Sequence, residues 1–302
     1  MNYSPNKFSQ QPTSAGIAPL GAATVTTGSD TAMAIVDHLR RSHLSLAEIR
    51  QRQRRIHSEV LQLSRSMNSA NFTRIDHDDL RRMAMLYDRE FFGSRLLPTI
   101  GRERVKFGLS SRMTRVAGKL VTRHGGGRSR TPGLRVEDRP GGQPFSDPRR
   151  FELVLSTTLL FQAFADVDRP ISVTGLRCVD RLEAMQRVCE HELVHLMEIY
   201  FWHDSSCNGS RFQDIATRLF GHTEHRHDLI TQSERAARNF DIRVGSAVEF
   251  WHEGKRISGW VNRITRRATV LVEDDRGERF SDGRTYRRYY VPLEKLRRPP
   301  ST

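Results

Sequence analysis

The stretch CEHELVHLMEIYFW, residues 189–202, constrains this chain more than any other. It sets His191, Glu192 and His195 in the spacing HExxH within a strongly helical segment. Residues four apart on a helix lie one above the other, with roughly 5–6 Å between their Cβ atoms, so both imidazoles can reach one Zn²⁺. A carboxylate at Glu192 then stands beside the metal. There it can take a proton from a water whose pKa zinc lowers to about 7, giving a hydroxide that attacks a carbonyl carbon. Peptide-bond hydrolysis is the chemistry this spacing points to.

The surrounding residues strengthen that reading over one in which two histidines merely fill a core. Asp180 and Glu183 form a D-x-x-E pair that predicts a capped helix start. From there Leu182, Met185, Cys189, Leu193, Leu196 and Tyr200 recur at three- and four-residue steps, as a buried face requires. The histidines fall on a different stripe.

At 302 residues the chain is long enough for two domains, and 37% hydrophobic with 28% charged residues is a composition of soluble proteins. Apolar runs stay well short of the roughly 18 residues a membrane span needs, so no membrane partner is expected. Residues 1–32 lack the basic start and apolar centre of a secretory signal and read as a disordered tail. Three cysteines, Cys178, Cys189 and Cys207, form neither a CxxC pair nor an even framework. That usage suits a reducing cytoplasm, with nucleoid association included, and leaves each thiol free as a core residue or ligand. A net charge of +14 points to a polyanionic partner such as nucleic acid, although an arginine bias of this kind also arises from coding composition.

Along the chain, residues 33–70 predict one long amphipathic helix carrying Leu46, Ile49, Ile56, Val60, Leu63 and Met67, interrupted by Gln53. A second helix is expected over 79–92, ended by Gly93. Val105, Phe107 and Leu109 alternate as a strand, and residues 116–122 suggest its hairpin partner. The Arg/Gly/Pro-rich segment 123–149 reads as an exposed loop. Phe151–Leu160 resumes with a strand, FELVLS, which is either an edge strand able to hold an extended substrate or an ordinary core strand.

Taken in order, LYDREFFGSRL (86–96), AGKL (117–120), FELVLSTTLL (151–160), HELVH and CNGSRFQDIATRLFG (207–221) resemble the SprT-like (Spartan-like) zinc metalloproteases over about residues 75–230. The resemblance implies a zinc peptidase over residues 71–235, with protein substrates bound or crosslinked to DNA. The family's third zinc ligand is a histidine immediately before the glycine of a G-x-x-F element, here Gly209 to Phe212. This chain has Asn208 there. Cys207, one residue earlier, offers a thiolate, a stronger zinc ligand than a carboxamide, and is the favoured third ligand with His191 and His195. His203, Asn208, His222, His225 and His227 stay open as alternatives. Glu198, on the same helix, reads as a partner of a ligand or a solvated residue. Phe212, Ile215, Ala216, Leu219 and Phe220 predict a helix beside the zinc helix.

From Ile242 the pattern changes to short strands: 244–251, 257–264, 268–273, a DDRG turn, 278–280 and 286–291. Residues 242–298 resemble a small SH3-like or Tudor-like barrel. Arg263, Arg266, Arg267, Arg284, Arg287 and Arg288 with Trp251, Trp260, Tyr286, Tyr289 and Tyr290 would give it a nucleic-acid surface, unless half of the aromatics fill its core. The expected fold is therefore α+β, a small antiparallel sheet flanked by helices with an HExxH zinc helix, followed by an all-β barrel. Glu192 is the expected general base and Zn²⁺ the expected cofactor. The rival expectation is a catalytically silent scaffold that binds DNA through its basic barrel. Oligomeric state is not legible.

Overall fold

A computed structural model describes residues 28–124 and 149–299. Most of the expected tail and of the Arg/Gly/Pro loop lies outside the described residues. The described chain is α+β, with eight α-helices and three small sheets. Among the described residues no helix is long and apolar enough to cross a membrane.

The organising element is α6, Arg181–Trp202, in which 17 of 22 residues are buried. A helix buried on nearly every side is a core helix, and its helical neighbours are α2 (Leu46–Leu63), α3 (His77–Phe92), α5 (Thr157–Gln162) and α7 (Ser210–Phe220). Its start is the expected one: the Asp180 side chain accepts from Glu183 N at 2.8 Å, and Glu183 accepts from Val179 N at 2.9 Å. Arg181 anchors that end by donating to the carbonyls of Ala163, Asn71, Phe72 and Phe161.

The long helix expected over 33–70 is two helices, α1 (Gly28–Arg41) and α2, so 28–32 also leave the tail. The break has a local cause. Ser45 accepts from Glu48 N, and Glu48 reaches back to Ser45 N at 2.8 Å, a capping box that starts a new helix. Ser64 ends α2, and Met67 is buried beyond it. Helix α3 begins at His77 behind an Asp76 cap and ends, as expected, at Gly93 in the left-handed region (φ 60°). Gly221 (φ 73°) ends α7 in the same way.

The first sheet departs from the expectation. Its order is β1-β3-β2, with β1 (Val105–Ser110) parallel and β2 (Gly118–His124) antiparallel to β3 (Arg149–Ser156). The sheet is mixed rather than antiparallel, and β1 and β2 are not hairpin partners. FELVLS is the central strand: Phe151, Leu153, Val154 and Leu155 are all buried, the near-continuous apolar run of a strand covered on both faces. The edge beside α6 is β2.

A two-stranded ribbon, β4 (Ile171–Val173) with β5 (Leu176–Cys178), precedes α6. The C-terminal sheet is an antiparallel meander of β6 (Ala247–His252), β7 (Lys255–Ile264), β8 (Ala268–Arg279) and β9 (Thr285–Val291). DDRG is not a turn between strands. Strand β8 runs through it with a bulge, Glu273 and Glu278 both facing Tyr286. Helix α8 (Gln232–Phe240) contributes Ala236 and Phe240 to this sheet's core, separate from the core around α6.

Candidate metal centre

His191 and His195 project from α6 with their Nε2 atoms 3.1 Å apart. Cys207 joins them from the loop between α6 and α7, and the three ligand atoms lie within 4.8 Å of one another. Among the described residues this is the one group of histidine, cysteine and carboxylate side chains that could hold a metal ion. Burial lowers the His191 pKa to about 3, helped by neighbouring histidines, and lowers that of His195 to about 4. Both rings are therefore neutral at physiological pH, the form that ligates.

A chain of hydrogen bonds fixes the His195 ring. Ser205 Oγ donates to Glu198 Oε2 at 2.6 Å, and Arg211 Nε donates to Glu198 Oε1 at 2.6 Å. With its proton directed to Glu198, the Ser205 hydroxyl accepts from His195 Nδ1, 2.6 Å away. That assigns the proton to Nδ1 and leaves the Nε2 lone pair facing His191. Glu198, 1% exposed, thus acts on a candidate ligand rather than being solvated. On the other side the Phe212 ring lies against both imidazoles, at 4.8 and 4.6 Å. Sequence reasoning placed Phe212 and Glu198 here and missed Ser205 and Arg211, which carry no periodic signal.

Glu192 lines a cavity of about 130 Å³ together with His191 and Gly118. Its carboxyl is buried, and burial raises its pKa to about 8. The remaining candidates go elsewhere. His222 Nε2 donates to Glu190 Oε2 at 2.8 Å in the core, while His225 and His227 border the cavity of Glu192 without entering the ligand group. His203 caps α6 in the left-handed region (φ 61°) and is likewise outside the group.

Two outcomes follow. Metal content of the purified protein falls on His191→Ala, His195→Ala and Cys207→Ala and is unchanged in Asn208→Ala; loss in the Asn208 variant alone would exclude the thiol as ligand. In metal-free protein, Glu192 has a folded pKa above its unfolded value of 4.5. Its contribution to stability is full below about pH 4.5 and is lost as pH rises toward 8. Urea denaturation should therefore show the stability gap between Glu192→Gln and wild type moving in the variant's favour by a few kcal/mol from about pH 5 to about pH 8. A gap that stays constant would contradict the buried carboxyl.

Compared with protein-family models, curated proteins and solved structures, the chain matches none.

Proposed function

We propose that this chain is a zinc-dependent endopeptidase of SprT-like type, acting on polypeptides in a reducing cytoplasm. The observation that carries the reading is the convergence of His191, His195 and Cys207 with Glu192 beside them. The donor set fits zinc. For a tetrahedral ion bound at about 2.0–2.1 Å by nitrogen and about 2.3 Å by sulfur, the ligand atoms stand roughly 3.3–3.6 Å apart. The imidazole nitrogens are at 3.1 Å, and the sulfur reaches the set by a loop adjustment of about an ångström.

When bound, zinc would lower the pKa of a water ligand and polarise the scissile carbonyl. Glu192 takes the proton of the attacking water and passes it to the leaving amide nitrogen. A neighbouring cation favours its carboxylate form, reversing the effect of burial. Among the described residues strand β2, rather than FELVLS, is the edge left open beside α6, on which a substrate backbone can add as an extended strand. Gly118 on that edge lies directly above Glu192. The test is hydrolysis of an unfolded protein substrate by zinc-loaded enzyme, with about one zinc per chain. Glu192→Gln retains the metal and loses roughly 10²–10⁴-fold in kcat. Undiminished hydrolysis in that variant would refute the assignment.

A specific observation favours a second reading, nucleic-acid binding by the C-terminal sheet, which we read as a small barrel joined back on itself by the Glu249–Arg297 bridge. The aromatic and basic residues there divide into two groups. Tyr286 is buried, Tyr289 packs on the core, and Arg284, Arg287 and Arg288 pair with Glu273, Asp274 and Glu278. Trp251, Trp260 and Tyr290 are 71%, 44% and 64% exposed. Arg263, Arg266 and Arg267 have no ion-pair partner among the described residues. By register Trp251, Trp260, Arg263 and Tyr290 share one face, suited to stacking bases and neutralising phosphates of single-stranded DNA. Anisotropy with a labelled oligonucleotide should show binding that weakens steeply with salt. Trp251→Ala with Trp260→Ala should cost roughly 1–3 kcal/mol per stacked base. Metal-free protein that binds DNA but never hydrolyses protein would favour the silent scaffold.

A further inference from the structure

The segment that follows α7 lines two cavities beside the candidate metal centre. The cavity of about 130 Å³ lined by Glu192 and His191 is lined by His225 and Arg226 as well. A second cavity, about 480 Å³, runs along α7 past Phe212, the ring that packs on both candidate ligands. His225 and Arg226 line this one too. An extended chain passing the His191–His195 pair would have this segment beside it.

The backbone of the segment is tied down. Thr174 N donates to Arg226 O at 2.7 Å, Asp228 N donates to Ser172 O at 3.0 Å, and His227 bridges Val173. Thr223 and Glu224 both donate their amides to Thr174 O. Gly175 (φ 78°) allows the close approach, since a Cβ there would come within 2.0 Å of Thr223 Oγ1. The next acidic residue, Asp228, is already paired with Arg169 at 3.3 Å. Arg226 itself is exposed and has no side-chain partner among the described residues. An arginine on a fixed backbone with an unengaged guanidinium presents a planar fork matched to a carboxylate. Of the acidic residues along the two cavities, Glu192 is the buried general base and Glu224 lies in the larger one without pairing to Arg226.

We propose that Arg226 forms a subsite for an acidic side chain of the polypeptide, close to the scissile bond, and so selects acidic sequences. The inference rests on the peptidase reading of the centre. Aspartate or glutamate near the cut pairs with the guanidinium, while a lysine there meets Arg226 and the flanking His225. The net charge of +14 draws acidic chains toward the protein from a distance but does not locate them, and Arg226 does.

Binding and cleavage test it separately. Zinc-loaded full chain carrying Glu192→Gln is titrated with fluorescein-labelled peptides of about ten residues rich in Glu, and with the matched Gln peptides. The Glu peptide should bind roughly five- to tenfold tighter, the range of a partly shielded charge-assisted pair. Adding Arg226→Glu should erase that ratio. Arg54→Glu reverses a charge on α2 that lines neither cavity and should leave the ratio standing. Equal affinities, or equal losses from both reversals, overturn the subsite in favour of long-range attraction. With zinc-loaded wild type and unfolded casein, mass spectrometry should find Asp and Glu enriched beside the cut bonds above the substrate's own composition. Arg226→Glu should remove the enrichment at unchanged zinc content, and cuts without it overturn the proposal. Absence of any cut counts against the peptidase reading, and the peptide titration then decides the subsite alone.

Discussion

Burial of α6 on nearly every side is the constraint on which the rest of this structure depends. A helix in that position cannot leave a charge unanswered, because an unpaired buried ion costs several kcal/mol. Glu190, one residue before the first histidine, shows how the demand is met. Its oxygens accept from Arg187 at 2.7 and 2.8 Å, from Tyr87 at 2.6 Å, from Gln53 at 2.9 Å and from His222 at 2.8 Å. Burial opposes its charge, but Arg187 and these hydrogen bonds outweigh the opposition and hold its carboxyl below the ordinary value. The polar Gln53 that interrupts the apolar stripe of α2 is explained by the same network. Glu192 two residues on has no such company, and the same burial pushes its carboxyl up to about 8.

That contrast separates two carboxylates on one helix by environment. Glu190 is saturated and structural. Glu192 is held neutral in a cavity, so its ionisation responds to whatever charge arrives beside it. The histidines obey the same logic from the opposite side, since desolvation keeps both rings neutral with their Nε2 atoms 3.1 Å apart. Beyond the helix the loop 203–209 completes the set by bringing Cys207 inward and Ser205 under His195. Arg211, stacked over Trp202 at 5.0 Å, holds Glu198 and through it the Ser205 hydroxyl.

What was legible in the sequence was what local chemistry dictates. The Asp180–Glu183 start of α6, the glycines at 93 and 221 and the apolar spacing along α3, α6 and α7 follow from caps and periodicity within a few residues. Pairing between distant strands was not legible. Strand β1 lies parallel to β3 across the 38 intervening residues 111–148, and nothing in VKFGLS or GKLVTRH states that β3 will lie between them. The break at Ser45 was readable in principle from S-x-x-E, but the apolar stripe continuing through Ile49 and Ile56 favoured one helix. In the C-terminal sheet composition announced aromatic and basic residues. Register puts Trp260, Tyr286 and Tyr290 on one face, and only packing against Trp260 and Phe280 buries Tyr286 while the other two stay exposed.

Gly118 shows how such a long-range pairing reaches the chemistry. It sits opposite Leu155 on the edge strand, and its backbone has no positive φ, so conformation does not demand glycine there. Space does. A Cβ at this position would lie 2.6 Å from Glu192 Oε1 and 2.7 Å from Val188 Cγ1, distances that real Cβ atoms do not adopt. The strand therefore approaches α6 as closely as a bare backbone allows, with the Glu192 carboxyl filling the place of the missing side chain. In the proposed peptidase this closeness is what lets a polypeptide added to the open edge of β2 lie over the two imidazoles instead of being held away from them. Any larger residue at 118 would have to displace the Glu192 and Val188 side chains or lift the strand, so the clearance of the cleft is set by an atom that is absent.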